Sequence, residues 1–406
     1  MTGAERVAGD APSVAGVVRD DQRARWAAAD RAARPARLAR LRERMARERV
    51  DAYVGCRPEH SRYLTGFELA DGEEKVAGTS GWFLVTPDEV VLLADSRYTE
   101  QATEQCPDAR VVFAYGDLPA RWPDLVADRR RVAGEADAIM HGLWTRLATA
   151  APAVELIAAE GWLQADRAIK EPAELERVAA ACAIGDAALE GLLPSIRPGM
   201  TEAQLALDLE WSMRRSGADA LAFDVACLSG PRAALPHGSP GAREIRSGEV
   251  LLFDFGAQVA GYRSDMTRTI FVGEPRPDDL AVYELVARAQ QAALDALEEA
   301  AGAGRAPGGR SIDAIARAVI EDAGHGEHFG HGLGHGIGLA THELPSLSVR
   351  ASDDPLPSPT VFSIEPGVYL PGVTGVRIED LVAFDPSAGR SERLTRFPRE
   401  VTIVAA

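Results

Sequence analysis

The apolar positions along this chain follow two regimes. Between residues 37 and 49, Leu38, Leu41 and Met45 recur at helical spacing among many arginines, which predicts an amphipathic helix leading into a short strand at 52–54. Strand-like runs follow at 81–85, 90–94 and 111–114, with a helix from about Tyr98 to Gln105. Strands alternating with helices predict an α/β domain of about 130 residues.

Near Pro172 the pattern changes, and from there it occurs twice. A helix over 172–194 leads to Pro198-Gly199, an N-cap at Thr201, a helix to about Arg215, and strands at 222–229, 249–258 and 263–272. A helix over 278–300 then leads to Pro307-Gly308, an N-cap at Ser311, a helix to about Asp322, and extended segments near 331–339, 361–369 and 375–384. A duplicated helix-helix-strand unit with pseudo-twofold symmetry accounts for both. The expected layout is a poorly ordered or helical extension at 1–34, a smaller α/β domain at 35–166, and a larger α+β domain at 167–406.

Composition narrows the function. The net charge is −17, and residues 1–50 hold 12 Arg against 7 acids, so the excess of acid lies in the rest of the chain. That balance argues against nucleic acid or an anionic membrane as partner. Lysine occurs only at Lys75 and Lys170, neither of them after glycine, which excludes a Walker A loop. Cys56, Cys106, Cys182 and Cys227 are widely spaced, no 18-residue apolar run occurs, and no signal-like segment is seen. A reduced, cytoplasmic protein is expected.

Four carboxylates stand where apolar residues belong. Asp254 interrupts Val250-Leu251-Leu252-Phe253, and a hairpin centred between Val259 and Ala260 would set it opposite Asp265. Glu365 and Glu379 repeat the arrangement around Gly372. Opposed carboxylates repel unless a proton or cation lies between them. Any one could be a solvated strand residue, but two symmetric pairs within apolar strands point to a cation site.

Five of eight histidines fall between His325 and His342. In Gly330-His331-Gly332-Leu333-Gly334-His335-Gly336-Ile337-Gly338, glycine at alternate positions predicts an extended segment stripped on one face for close backbone approach. His331 and His335 share the other face but lie about 13 Å apart along a strand, too far to hold one ion together. One ligand and one substrate-facing or supporting histidine are expected. His60, His141, His325 and His328 read as structural.

The set of Asp254, Asp265, the His331–Leu339 run, Glu365-Pro366-Gly367 and Arg377-Ile378-Glu379-Asp380 resembles the pita-bread metallopeptidase family, in its Xaa-Pro aminopeptidase and Xaa-Pro dipeptidase (prolidase) branch. Tyr63-Leu64-Thr65-Gly66-Phe67 and Ala94-Asp95-Ser96-Arg97-Tyr98 resemble the creatinase-like N-terminal domain of its proline-specific members. The resemblance implies that Asp254, Asp265, His335, Glu365 and Glu379 bind two divalent ions, with Asp265 and Glu379 bridging. Four carboxylates and one imidazole suit Mn²⁺, with Co²⁺ or Zn²⁺ as alternatives. It further implies a metal-bridging hydroxide as nucleophile, Glu365 as proton shuttle, His331 and His342 against substrate, and His237 near the leaving group. Arg377 would orient Glu379 or the substrate, or be half of a solvated salt bridge. A peptide with proline in second position and a homodimer are implied on the same ground. Where the family has Gly-Met ahead of the Glu365 strand, this chain has Pro357-Ser358-Pro359-Thr360. Two alternatives are a non-peptide amide hydrolase or lyase of this fold, like ectoine hydrolase, and an inactive binding module.

Overall fold

The computed structural model describes residues 18–406 except 71, 73–76 and 115–117. The part of the expected N-terminal extension at 1–17 lies outside the described residues. The chain divides into two compact units, Asp21–Ile169 and one built mainly of Lys170–Ala406.

The first unit opens with α1 (Asp20–Glu48), a single helix that runs through the boundary expected between residues 34 and 35. Its buried stripe is Trp26, Arg37, Leu41 and Met45. Trp26 is the lone large apolar residue before Pro35, so the first half of the helix has no visible periodicity and rests on the helix propensity of Ala and Arg. There follow β1 (Ala52–Gly55), α2 (Pro58–Thr65), β2 (Phe83–Val85), β3 (Val90–Ala94), α3 (Thr99–Gln105), β4 (Arg110–Phe113), α4 (Leu118–Leu125), β5 (Arg131–Gly134), α5 (His141–Ala150), β6 (Glu155–Ala158) and α6 (Trp162–Ala168). The strands form one mixed sheet ordered β4-β3-β2-β1-β5-β6. His60 is fully buried with Nδ1 2.5 Å from Glu135 Oε1, and the same carboxylate accepts the amides of Cys56 and Arg57 at the start of α2. This histidine is structural.

The second unit begins with α7 (Pro172–Leu192) and α8 (Glu202–Arg215), the latter opened by a capping box between Thr201 and Gln204. Next come β7 (Ala220–Leu221), β8 (Ala226–Ser229), β9 (Val250–Phe255), β10 (Ala257–Val259), β11 (Tyr262–Arg263) and β12 (Met266–Val272). The second half supplies α9 (Pro277–Gly302), α10 (Gly309–Asp322), β13 (Gly334–Gly336), β14 (Glu343–Leu347), β15 (Thr360–Ile364), β16 (Gly367–Leu370), β17 (Thr374–Arg377) and β18 (Asp380–Asp385), and β19 (Arg390–Arg393) and β20 (Ile403–Val404) close the chain. Ser311 is not the N-cap of α10. Gly308 holds that position, and Ser311, inside the first turn, bonds Asp353 through its amide and hydroxyl.

The duplication is visible in the sheets. One is ordered β20-β12-β9-β8 and the other β14-β13-β15-β18-β19, so β8-β9-β12 and β13-β15-β18 are equivalent antiparallel triplets. Leu285, Val286 and Ala289 of α9 and Ile312 and Ala316 of α10 pack with Phe362 and Ile364 in the main core. Among the described residues α7 is the one helix long and apolar enough to cross a membrane. Here it is a core helix, burying Val178, Ala181, Ile184 and Leu189.

Candidate active site

Asp254 lies near the end of β9 and pairs with Thr267 of β12, while beyond Gly256 the same register pairs Gln258 with Arg263. Asp254 and Asp265 are therefore not directly opposed, and the turn centres between Ala260 and Gly261 rather than one residue earlier. Both turn residues have positive φ, 45° and 81°, as a two-residue I′-type loop requires. Ala-Gly does not announce that loop as Asn-Gly would. Because the partner is displaced by two positions, Asp265 keeps its face of the sheet.

The second hairpin has the expected register. Ile364 pairs with Asp380 and Gly367 with Arg377, so Glu365 and Glu379 fall opposite each other between two ladders, with Gly372 (φ 74°) at the turn. His335 is the middle residue of β13, a shorter strand than the extended segment expected from 331 to 339. A Cβ at Gly334 would sit 1.9 Å from the Ser363 carbonyl oxygen, and one at Gly336 2.0 Å from that of Leu344. Close backbone approach thus accounts for Gly332, Gly334 and Gly336, whereas Gly330 has open space around it and Gly338 faces the side chains of Lys170 and Glu343.

All five carboxylate and imidazole positions reach one cavity of about 470 Å³, which His237, His331, His342 and Arg377 also line. Ligand atoms of Asp265, His335 and Glu379 lie within 4.8 Å of one another. His335 Nδ1 faces the Gly336 carbonyl at 3.0 Å and must carry the proton there, so the Nε2 lone pair points inward, 3.4 Å from Glu365 Oε1 and 3.7 Å from Asp265 Oδ2. Burial holds this imidazole below its ordinary pKa, and it is neutral near pH 7.

A neutral nitrogen lone pair facing two carboxylates is repulsive without a cation between them. Burial, and then the charges of Glu379, Asp254 and Glu365, push the Asp265 carboxyl well above its usual range. Burial, and then Glu365 and Asp254, do the same to Glu379. Burial also raises Glu365. Glu379 Oε2 accepts from Thr267 Oγ1 at 2.7 Å, whereas its buried Oε1 has no hydrogen-bond partner. These residues fit divalent cations, which would satisfy the orphaned oxygen and cancel the repulsion.

Arg377, 4% exposed, is no solvated salt bridge. Its Nη2 donates to Asp254 Oδ2 (2.5 Å), Nε to Thr267 Oγ1 (2.8 Å) and Nη1 to the Tyr369 hydroxyl (2.8 Å). It touches Asp254 directly and reaches Glu379 only through Thr267. Tyr369 in turn contacts His331 Nε2 at 2.9 Å. Because His331 Nδ1 faces the Gly332 carbonyl at 2.8 Å and burial keeps the ring neutral, Tyr369 is the donor to Nε2. The His342 ring packs 4.3 Å from that of His335.

Sequence reasoning missed Tyr369, Thr267 and Ser363. Ser363 Oγ accepts the His335 amide and donates to Glu365 Oε1, both at 3.0 Å. Each of the three lies two or four residues from an acidic position, so strand alternation was the available signal.

Residues 176–386 match metallopeptidase family M24, and residues 37–169 match the Creatinase/Prolidase N-terminal domain. The chain belongs to family M24, with a creatinase-type N-terminal domain and a pita-bread C-terminal domain. It is 32% identical to an uncharacterised peptidase of Bacillus subtilis over 91% of this chain and all of that protein. An Xaa-Pro dipeptidase from Bacillus anthracis superposes with a TM-score of 0.81 at 34% identity, covering 91% of this chain and 99% of that one. An X-Pro aminopeptidase from Thermotoga maritima gives 0.76 at 34% identity, covering 91% and 100%.

Proposed function

We propose that the chain is a dimetal-dependent exopeptidase hydrolysing the peptide bond before proline, as an Xaa-Pro aminopeptidase or Xaa-Pro dipeptidase. The observation that carries this reading is the meeting of Asp254, Asp265, His335, Glu365 and Glu379 with three further histidines in one cavity of a family M24 chain. Its hard donor set favours Mn²⁺ over Co²⁺ or Zn²⁺. When bound, such ions supply an activated water and polarise the scissile carbonyl.

The protein's own groups do the rest. Glu365, with its pKa raised by burial and Oε1 fixed by Ser363, is placed to take up a proton and pass it on as general base and acid. Arg377 fixes the Asp254 carboxylate for its ion. His331, held at Nε2 by the Tyr369 hydroxyl, lines the cavity where substrate would lie. His342 and His237 stand at the cavity wall to receive the substrate backbone and leaving group. A homodimer and a cytoplasmic location belong to the same reading, supported by the family resemblance and by four unpaired cysteines.

The test is hydrolysis of Xaa-Pro dipeptides and Xaa-Pro-Yaa tripeptides by purified protein, chelated and then reloaded with Mn²⁺. Metal-dependent release of the residue before proline is expected. Metal binding without any such turnover would overturn the peptidase reading, and absence of metal uptake would favour a binding module.

A further inference from the structure

Apart from the metal cavity, the second unit buries two helix carboxylates held in the same way, Glu202 (0% exposed) on α8 and Asp313 (1% exposed) on α10. Glu202 Oε1 accepts the Ser229 amide at 2.9 Å and Oε2 the Gly241 amide at 3.2 Å. Oε2 also takes Arg232 Nε at 2.9 Å, and that arginine's Nη2 donates to the Ser239 carbonyl at 2.5 Å. Carboxylate and arginine together clamp the loop 229–241 on both sides of His237.

Asp313 does the same in the other half. Its Oδ1 accepts the Leu333 amide at 3.0 Å, and Arg317 donates Nε to Oδ2 at 2.8 Å. Arg317 then donates Nη2 to the His331 carbonyl at 2.8 Å and Nη1 to that of Phe329 at 2.9 Å. Each clamp joins a buried helix carboxylate to backbone amides of a histidine-bearing segment, Ser229 and Gly241 on either side of His237 and Leu333 two residues after His331, and places an arginine between that carboxylate and a carbonyl of the same segment. Glu202 is the first residue of its helix and Asp313 the fifth, so the two halves reach this arrangement one turn apart.

A buried charge is expensive, and neither carboxylate touches the cation site. What each fixes is the backbone that presents an imidazole to the cavity. We propose that Glu202 and Asp313 are positioning residues, one in each half, that set the imidazoles of His237 and His331 for substrate. This rests on the reading of those histidines as substrate-facing.

The test uses full-length, Zn²⁺-loaded protein with labelled histidine, read by NMR, beside kinetics of the Mn²⁺ form. Glu202→Gln should move the His237 imidazole resonance and leave that of His331 in place, and Asp313→Asn should do the reverse. In kinetics each should lower kcat/KM about tenfold alone but by less than about twofold where its own histidine is already Ala, since coupled sites are not additive. Shifts common to all histidines, no shift, or losses that multiply fully in the histidine backgrounds would overturn the proposal. If either variant fails to fold, Arg232→Lys and Arg317→Lys carry the same comparison. The NMR arm needs no turnover, so failure of the peptidase reading and failure of this inference can be told apart.

Discussion

Glu365 and Glu379 stand opposite each other in the gap between two ladders that share one register, β15 with β18 and β16 with β17. The strands part at the one place where a pair of carboxylates must be aimed inward rather than absorbed into a sheet face. Asp265 lies in the equivalent gap of the first hairpin, between β11 and β12.

Those gaps set the pH dependence. Burial pushes Asp265, Glu379 and Glu365 above the usual carboxylate range, so in the metal-free fold they favour the protonated form. The associated stability is present below the unfolded value, about pH 4, and is lost as pH rises through the folded values. Chelated Glu379→Gln should therefore gain stability relative to chelated wild type between roughly pH 5 and pH 7.5, above the ordinary carboxylate value. Metal binding should tighten with pH and release protons. Denaturant melts at both pH values, and calorimetry in two buffers, check this; a stability gap that narrows as pH rises would contradict it.

Arg377→Lys should lower kcat about ten- to hundredfold despite keeping the charge. An ammonium cannot serve Asp254, Thr267 and Tyr369 in the plane of one guanidinium. Steady-state kinetics at saturating Mn²⁺ would measure the loss, and full activity would show that charge alone suffices.

Lys170 Nζ lies 3.2 Å from Glu343 Oε2, both nearly without exposure, next to the segment bearing His342. Lys170→Met should cost about 3–5 kcal/mol by stranding a buried carboxylate, and adding Glu343→Leu should recover most of it. Chemical denaturation of the two variants decides the matter: equal losses would rule out the pairing as the cause.

Ala260 holds φ 45° in the first hairpin turn, a conformation that costs an L-residue with a Cβ about 1 kcal/mol. Ala260→Gly should therefore raise stability by up to about that amount without changing kcat. A lower melting temperature would count against the turn geometry.

Much of the site was legible because strand alternation and glycine spacing are local. The Glu365–Glu379 pairing, the inward His335 and the close-packed glycines could all be read along the chain. The first half of α1 was hidden because Ala and Arg carry helix propensity without marking a face. The Ser311 cap was misplaced because an aspartate 42 residues away supplies the oxygen. The first hairpin was set two positions off in partner because side chains repeat every two residues along a strand, so such a slip leaves every residue on its own face.

The sequence by itself determined which residues can bind a cation and which face of each strand they occupy, since donor chemistry and period-two alternation belong to the chain. Tertiary structure alone decided the Ala260–Gly261 turn, the choice of Asp254 as the partner of Arg377, and the clamps of Glu202 and Asp313. Each of these depends on which backbone lies within about 3 Å of a side chain remote in sequence, a distance that only packing fixes.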